Sequence, residues 1–192
     1  MSSAAVPAPV LADRIPKSLA RDVGLVVGVA LLTAVMAQIR LPLPFSPVPV
    51  TGSTFAVLLG AAALGPLRGS LAQALYWTVG LAGVPVFTGF EGGWQAATGV
   101  TGGYLFGFIV ASVVVGHLAR RGVDRKPLGM AAAFVAGSLV IYAFGVPWLA
   151  YVTGMSLAQA LWQGAAVFVA GDALKAVLAG VTLPGAWRLA NR

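Results

Sequence analysis

The chain has 192 residues, of which 59% are hydrophobic and only 9% charged, and its mean hydropathy is +0.92. Most of such a chain cannot face water, so an all-α integral membrane protein is expected, one domain at this length. The net charge of +7 suggests nucleic acid only until the basic residues are placed, since they fall in the short gaps between apolar runs, and the absence of cysteine excludes disulfides, thiolate chemistry and cysteine-held metals.

In chain order, a tail with Arg14, Lys17 and Arg21 precedes a first apolar run from Val23 to Ile39. Five further crossings are expected: Thr54 to Leu64, Gly69 to Ala82, Thr101 to Leu118, Leu128 to Val146, and Leu157 to Leu183. The second and third are short for the roughly 20 residues of a straight span. Gly65-Pro66, Gly83-Val84-Pro85 and Gly145-Val146-Pro147 read as helix ends. This divides the chain into a tail over 1–22, a six-helix membrane domain over 23–187 and a short tail over 188–192.

The basic residues test that count. With the N-terminus cytoplasmic, six crossings place Arg14, Lys17, Arg21, Arg68, Arg120, Arg121, Arg125, Lys126, Arg188 and Arg192 inside. Arg40 alone lies outside, and Lys175 lies within the membrane. That asymmetry follows the positive-inside rule and predicts two cytoplasmic termini. A competing reading takes the first run as a secretory signal cleaved after Val35-Met36-Ala37, which would leave five spans. The lone His117, beside Arg120 and Arg121, reads as interfacial.

Two features of the apolar segments point to function. In the first run Gly24 and Gly28, and Ala30 and Ala34, are four residues apart. Such spacing lets helix backbones approach closely, either within the protein or against a second membrane protein. In the last run, Gly171-Asp172-Ala173-Leu174-Lys175 holds the segment's two charges. A charge at a membrane centre costs roughly 2.5–3.5 kcal/mol on insertion scales. The i,i+3 spacing places Asp172 and Lys175 on one helical face, with Leu161, Ala165, Phe168 and Ala179 above and below. They read as a structural ion pair or as a binding site.

The connecting loops are chemically rich. Four prolines in Leu41–Gly52 make a stiff apolar strap. The loop Val84–Val100 mixes aromatics, glycines and amides, and reads as a pocket cap or as an interfacial loop with Phe90 and Trp94 in the headgroup belt. Thr101-Gly102-Gly103-Tyr104 reads as a flexible start to the fourth span, with Thr101 and Tyr104 offering hydroxyls. Catalysis is not expected: the chain has five acidic residues, no phosphate-binding loop and no paired carboxylates.

Several motifs, in order, resemble the BioY family: Pro47-Val48-Pro49-Val50-Thr51-Gly52, Leu64-Gly65-Pro66-Leu67-Arg68-Gly69, Gly80-Leu81-Ala82-Gly83-Val84-Pro85-Val86-Phe87, Thr101–Phe108, and Gly171-Asp172-x-x-Lys175. The resemblance spans about Val48 to Lys175; where the family often has Gly-Pro-Thr-Gly, this chain has Gly99-Val100-Thr101-Gly102. These are the biotin-specific substrate-capture (S) components of energy-coupling-factor transporters. The resemblance implies an S-component bundle in a prokaryotic plasma membrane, docked on a transmembrane coupling protein and driven by two cytoplasmic ATPases. No cofactor is implied, ATP being used only by those partners. It also implies that Asp172 and Lys175 help bind biotin, and that small residues of the first helix meet the coupling protein, Ala30 and Ala34 fitting best and Gly24 and Gly28 next.

Biotin's donors and acceptors suit this set. Asp172 can accept from ureido N–H groups, and Lys175 can donate to the ureido carbonyl or pair with the carboxylate. Phe168, Tyr76, Trp77 and Tyr104 are available to sandwich the apolar parts, and Gln73, Gln95, Thr88 and Thr101 are candidate polar contacts. Two competing classes stand beside this one: an ion- or proton-coupled secondary transporter of a small carboxylate using Asp172, and a purely structural membrane subunit.

Overall fold

Ser18 opens the first long helix. Its side chain accepts from the Arg21 N–H, and α1 then runs over Leu19–Gln38. The computed structural model describes residues 8–191; the first seven residues of the tail and Arg192 lie outside the described residues. After α1 come a ribbon of β1 (Arg40–Leu41) and β2 (Val50–Thr51), α2 (Ser53–Leu64), α3 (Pro66–Leu81), α4 (Trp94–Thr98), α5 (Gly102–Ala119), α6 (Pro127–Thr153), α7 (Leu157–Gly164) and α8 (Val169–Ala190).

Helices α1, α2, α3, α5, α6 and α8 form the bundle, each packed against its sequence neighbours in it. Among the described residues, four stretches are long and apolar enough to cross a membrane: α1, α5, α6 and Leu157–Ala190 taken as one. At 12 and 16 residues, α2 and α3 are shorter than a straight crossing. The packing explains why α2 is nevertheless apolar throughout. It lies at the centre, with Ala56, Val57, Leu58, Ala61 and Ala62 all fully buried. Its C-terminus turns sharply into α3 at Gly65, whose φ of +83° only glycine adopts readily, and Pro66 begins α3 at a position where no N–H is needed.

Two expected boundaries are corrected. Gly145-Val146-Pro147 does not end the fifth span, because α6 continues through Pro147 to Thr153. A membrane helix tolerates an internal proline where neighbouring structure satisfies the freed backbone, and here Gly145 lies against the ring of Tyr104. The stretch Leu157–Leu183 is not one helix either. Backbone angles at Ala165 (φ −140°, ψ −57°) break it, and a 3-10 turn over Ala166–Phe168 leads into α8. Leu161 and Ala165 therefore do not share a helix with Asp172.

The glycines at the start of α5 act through size, not flexibility. A Cβ at Gly103 would lie 2.3 Å from Cβ of Trp148, and one at Gly107 would lie 3.0 Å from Cα of Ile141. The α5–α6 seam exists because these two positions lack side chains.

At the end of the bundle away from the ribbon, the segment before α1 is packed inward. Val10 is fully buried, Asp13 pairs with Arg68 at 3.1 Å and Arg120 at 2.9 Å, and Arg14 donates to Asn191 at the other end of the chain. Nearby, Trp187 donates its indole N–H to buried Asp124 at 2.5 Å, with the Arg125 guanidinium 4.8 Å from the indole centroid. Among the described residues, nine arginines and lysines gather at this end.

The two acids here titrate in opposite directions. Burial works to raise the Asp13 pKa, yet hydrogen bonds from Arg68 and the Val10 N–H and the charge of Arg120 hold it below its ordinary value. Burial pushes Asp124 up, and the Trp187 hydrogen bond only partly opposes it. A carboxyl with a raised folded pKa stabilises fully below its unfolded value, and that stabilisation is lost as pH rises through the folded value. Thermal melts of Asp124→Asn in detergent, from about pH 4 to pH 8, are therefore expected to show a shallower decline with rising pH than the unsubstituted chain. Identical slopes would remove Asp124 from the pH response.

Candidate ligand-binding site

At the ribbon end, the ribbon and five helices converge on one cavity, part of it open to solvent. The ribbon and the start of α2 supply Thr51 and Thr54, α3 supplies Tyr76, and α8 supplies Asp172 and Lys175. Helix α5 supplies Tyr104 and Phe108, and α6 supplies Ile141 and Tyr142.

The break before α8 explains how Asp172 reaches this cavity. It places Phe168 at the head of α8, and Asp172 and Lys175 follow on the face turned toward α2 and α6. Lys175 Nζ donates to Asp172 Oδ1 at 3.2 Å and to Thr54 Oγ1 at 2.8 Å. The Tyr142 hydroxyl donates to Asp172 Oδ2. Both charged side chains are nearly nine-tenths buried, at 12% and 14% exposure, so their pairing offsets a large desolvation penalty. An ammonium has three donors, which leaves Lys175 one for a ligand, and the carboxylate retains unused lone pairs.

Aromatic rings form the walls. Phe168 stacks on Tyr142 with centroids 6.3 Å apart, and Tyr76 meets Phe87 edge-on at 5.5 Å. Phe87 arrives from a tight hairpin, Phe87–Glu91, that returns through Gly89 (φ +80°) and Phe90 (φ +60°). Gln38, at the end of α1, fixes this hairpin. Its Nε2 donates to the carbonyls of Val86 and Phe87, and its Oε1 accepts from the Phe90 N–H. The Pro-rich strap is anchored at Ser46, whose hydroxyl lies 2.7 Å from the Gln163 carbonyl of α7.

Of the ten residues expected at a site, the cavity gathers Asp172, Lys175, Phe168, Tyr104, Tyr76, Thr101 and Thr88. The other three lie elsewhere. Gln73 is buried between helices and donates to Thr33 at 3.3 Å, Trp77 packs edge-on against Phe106, and Gln95 lines an adjacent outer cavity. Gln73 lies on the same face of α3 as Tyr76 but one turn further from the cavity, whereas Trp77, the next residue after Tyr76, points about 100° away from it. The Tyr104 hydroxyl is not offered to the cavity but donates to the Gly164 carbonyl at 2.9 Å. Tyr142 and Thr54, which complete the polar cluster, were not foreseen. A tyrosine in the middle of an apolar run is a signal that could have found the first.

The expected docking stripe of α1 splits. Ala30 is buried inside the bundle and Ala34 is half-buried against it, whereas Gly24 and Gly28 are exposed with open space where a Cβ would be. The α-helical period of about 3.6 separates the two pairs onto different faces.

The BioY family profile matches residues 7–192. The chain belongs to the BioY family. It is 33% identical over 163 residues to "Biotin transporter BioY" of Rhizobium etli, covering 79% of this chain and 87% of that one. It is 41% identical over 139 residues to "Biotin transporter BioY" of Thermotoga maritima, covering 72% and 80%. A "Probable biotin transporter BioY" of Pyrococcus horikoshii is 38% identical over 160 residues, covering 83% and 92%. A crystal structure described as the S-component for biotin from an ECF-type ABC transporter superposes with a TM-score of 0.80 at 22% identity, covering 92% of this chain and 96% of that one. The fold is thus that of an S component, and the chain is a multi-pass membrane protein.

Proposed function

We propose that this chain captures biotin at the ribbon end of the bundle and delivers it across a prokaryotic plasma membrane as the S component of an energy-coupling-factor transporter. The observation that carries the reading is the cluster of Asp172, Lys175, Tyr142 and Thr54 beneath the Tyr142–Phe168 stack. A ureido ring brings two N–H donors and one carbonyl acceptor to a carboxylate and an ammonium. The apolar bicycle then lies against the aromatic walls. No cofactor and no bond-making step is required of the chain. The gathering of basic residues at the opposite end supports an outward-facing cavity and cytoplasmic termini. Isothermal titration of the purified chain with biotin tests the reading: saturable 1:1 binding, absent with unrelated vitamins, is expected. Lack of any biotin heat would overturn it.

Transport on this reading needs a coupling protein and two cytoplasmic ATPases, and the open face of α1 around Gly24 and Gly28 suits the coupling protein. Gly24→Leu together with Gly28→Leu is expected to prevent co-purification with a coupling module while leaving biotin binding within about twofold. Undiminished co-purification would place the docking face elsewhere.

A further inference from the structure

A second cavity adjoins the first on the ribbon side, lined by Arg40, Glu91 and Gln95 and sharing Pro49, Phe87, Thr88 and Thr101 with the inner one. The ribbon spans the wall between them. Arg40 stands opposite Thr51 in its register, and Thr51 lines the inner cavity while Arg40 lines the outer.

Arg40 is the one arginine or lysine at this end outside the Asp172 cluster, and among the described residues it has no carboxylate within 4 Å. It is nevertheless positioned: its guanidinium packs on the hairpin, where a Cβ at Gly89 would lie 2.4 Å from Nη1. Glu91 lines the same cavity and is exposed, and it makes no ion pair with Arg40 within 4 Å. Lys175, by contrast, is already engaged by Asp172 and Thr54.

We infer that the outer cavity is a carboxylate subsite and that Arg40 is its specificity-determining residue. This rests on the biotin reading above and orients the ligand: the ring system sits at Asp172, Tyr142 and Lys175, and the acyl chain passes the Phe87–Thr88 wall to present its carboxylate to Arg40. A guanidinium suits that role because it is always charged and offers paired donors to a planar carboxylate.

The test compares biotin with its uncharged carboxamide in titrations of the unsubstituted chain, Arg40→Gln and Arg40→Lys. The unsubstituted chain is expected to prefer biotin by about five- to tenfold, the range of a partly exposed charge-assisted contact. Arg40→Gln is expected to bind both compounds alike, at the affinity the unsubstituted chain has for the amide, and Arg40→Lys to keep part of the preference. Equal binding of both compounds by the unsubstituted chain overturns the inference. So does a preference that survives intact in Arg40→Gln. Failure of the unsubstituted chain to bind biotin at all removes the functional reading and this one together, whereas the other two outcomes remove this one alone.

Discussion

Replacing Asp172 or Lys175 by alanine is expected to weaken biotin binding by at least about 30-fold, since truncating one member of a buried, hydrogen-bonded charge pair costs about 2–5 kcal/mol. Two effects add. The ligand loses a contact, and the surviving charge is left in a site that is nearly closed to water. Removing Asp172 also strands the Tyr142 hydroxyl, and removing Lys175 leaves Thr54 without its donor. Titration calorimetry measures the affinity, and circular dichroism in detergent checks that each variant remains folded. Folded variants that bind like the unsubstituted chain would reduce the pair to a structural bridge. Tyr142→Phe keeps the ring stack with Phe168 and removes only the hydroxyl, so it separates the aromatic wall from the polar cluster.

Gly103→Val is expected to be the most destabilising single change in the seam between α5 and α6. Even the first carbon of the new side chain would fall 2.3 Å from Cβ of Trp148 and 2.6 Å from the Phe144 carbonyl oxygen. Such overpacking costs typically about 1–3 kcal/mol and more where backbone has to move. The neighbouring Trp148 indole donates to the Gly99 carbonyl at 2.9 Å, so a displaced Trp148 also releases the loop that leads to Thr101 at the cavity wall. Both the melting temperature and biotin affinity should therefore fall. Gly24→Ala is the control, because nothing lies within 4 Å of its Cβ position and alanine is the better helix former. Equal melting temperatures for the two variants would contradict this account of the seam.

The sequence was legible where the membrane imposes its rules. Apolar runs and Gly-Pro punctuation located the helices of the bundle to within a few residues at most ends. The failures have a common physical origin. Pro147 looks like a stop signal because proline ends helices in water, but α6 passes through it. The break at Ala165 follows Gly164, but a single glycine inside an apolar run is a weak stop signal in a chain with 25 of them. The site was legible through its charges. Asp172 and Lys175 stand out because charge is costly in lipid, whereas Thr54 and Tyr142 belong to residue types common at helix starts and in cores. Gln73 had the right chemistry one turn too far from the cavity, and Trp77 had it on the wrong face of α3. A residue's direction depends on how its helix is rotated, and the low contrast between apolar faces of α3 does not set that rotation.

Gln38 gives α1 a second office. At one end of this helix lie Gly24 and Gly28 with their open surface; at the other, Gln38 commits its amide to the hairpin that carries Phe87 and Thr88 over the cavity. Twenty residues without a break make a rod roughly 30 Å long. A tilt of about 10° pivoted at the glycine end would carry the other end through about 5 Å, more than a hydrogen bond can stretch. The helix is thus a lever arm, and the mouth of the cavity hangs from its tip.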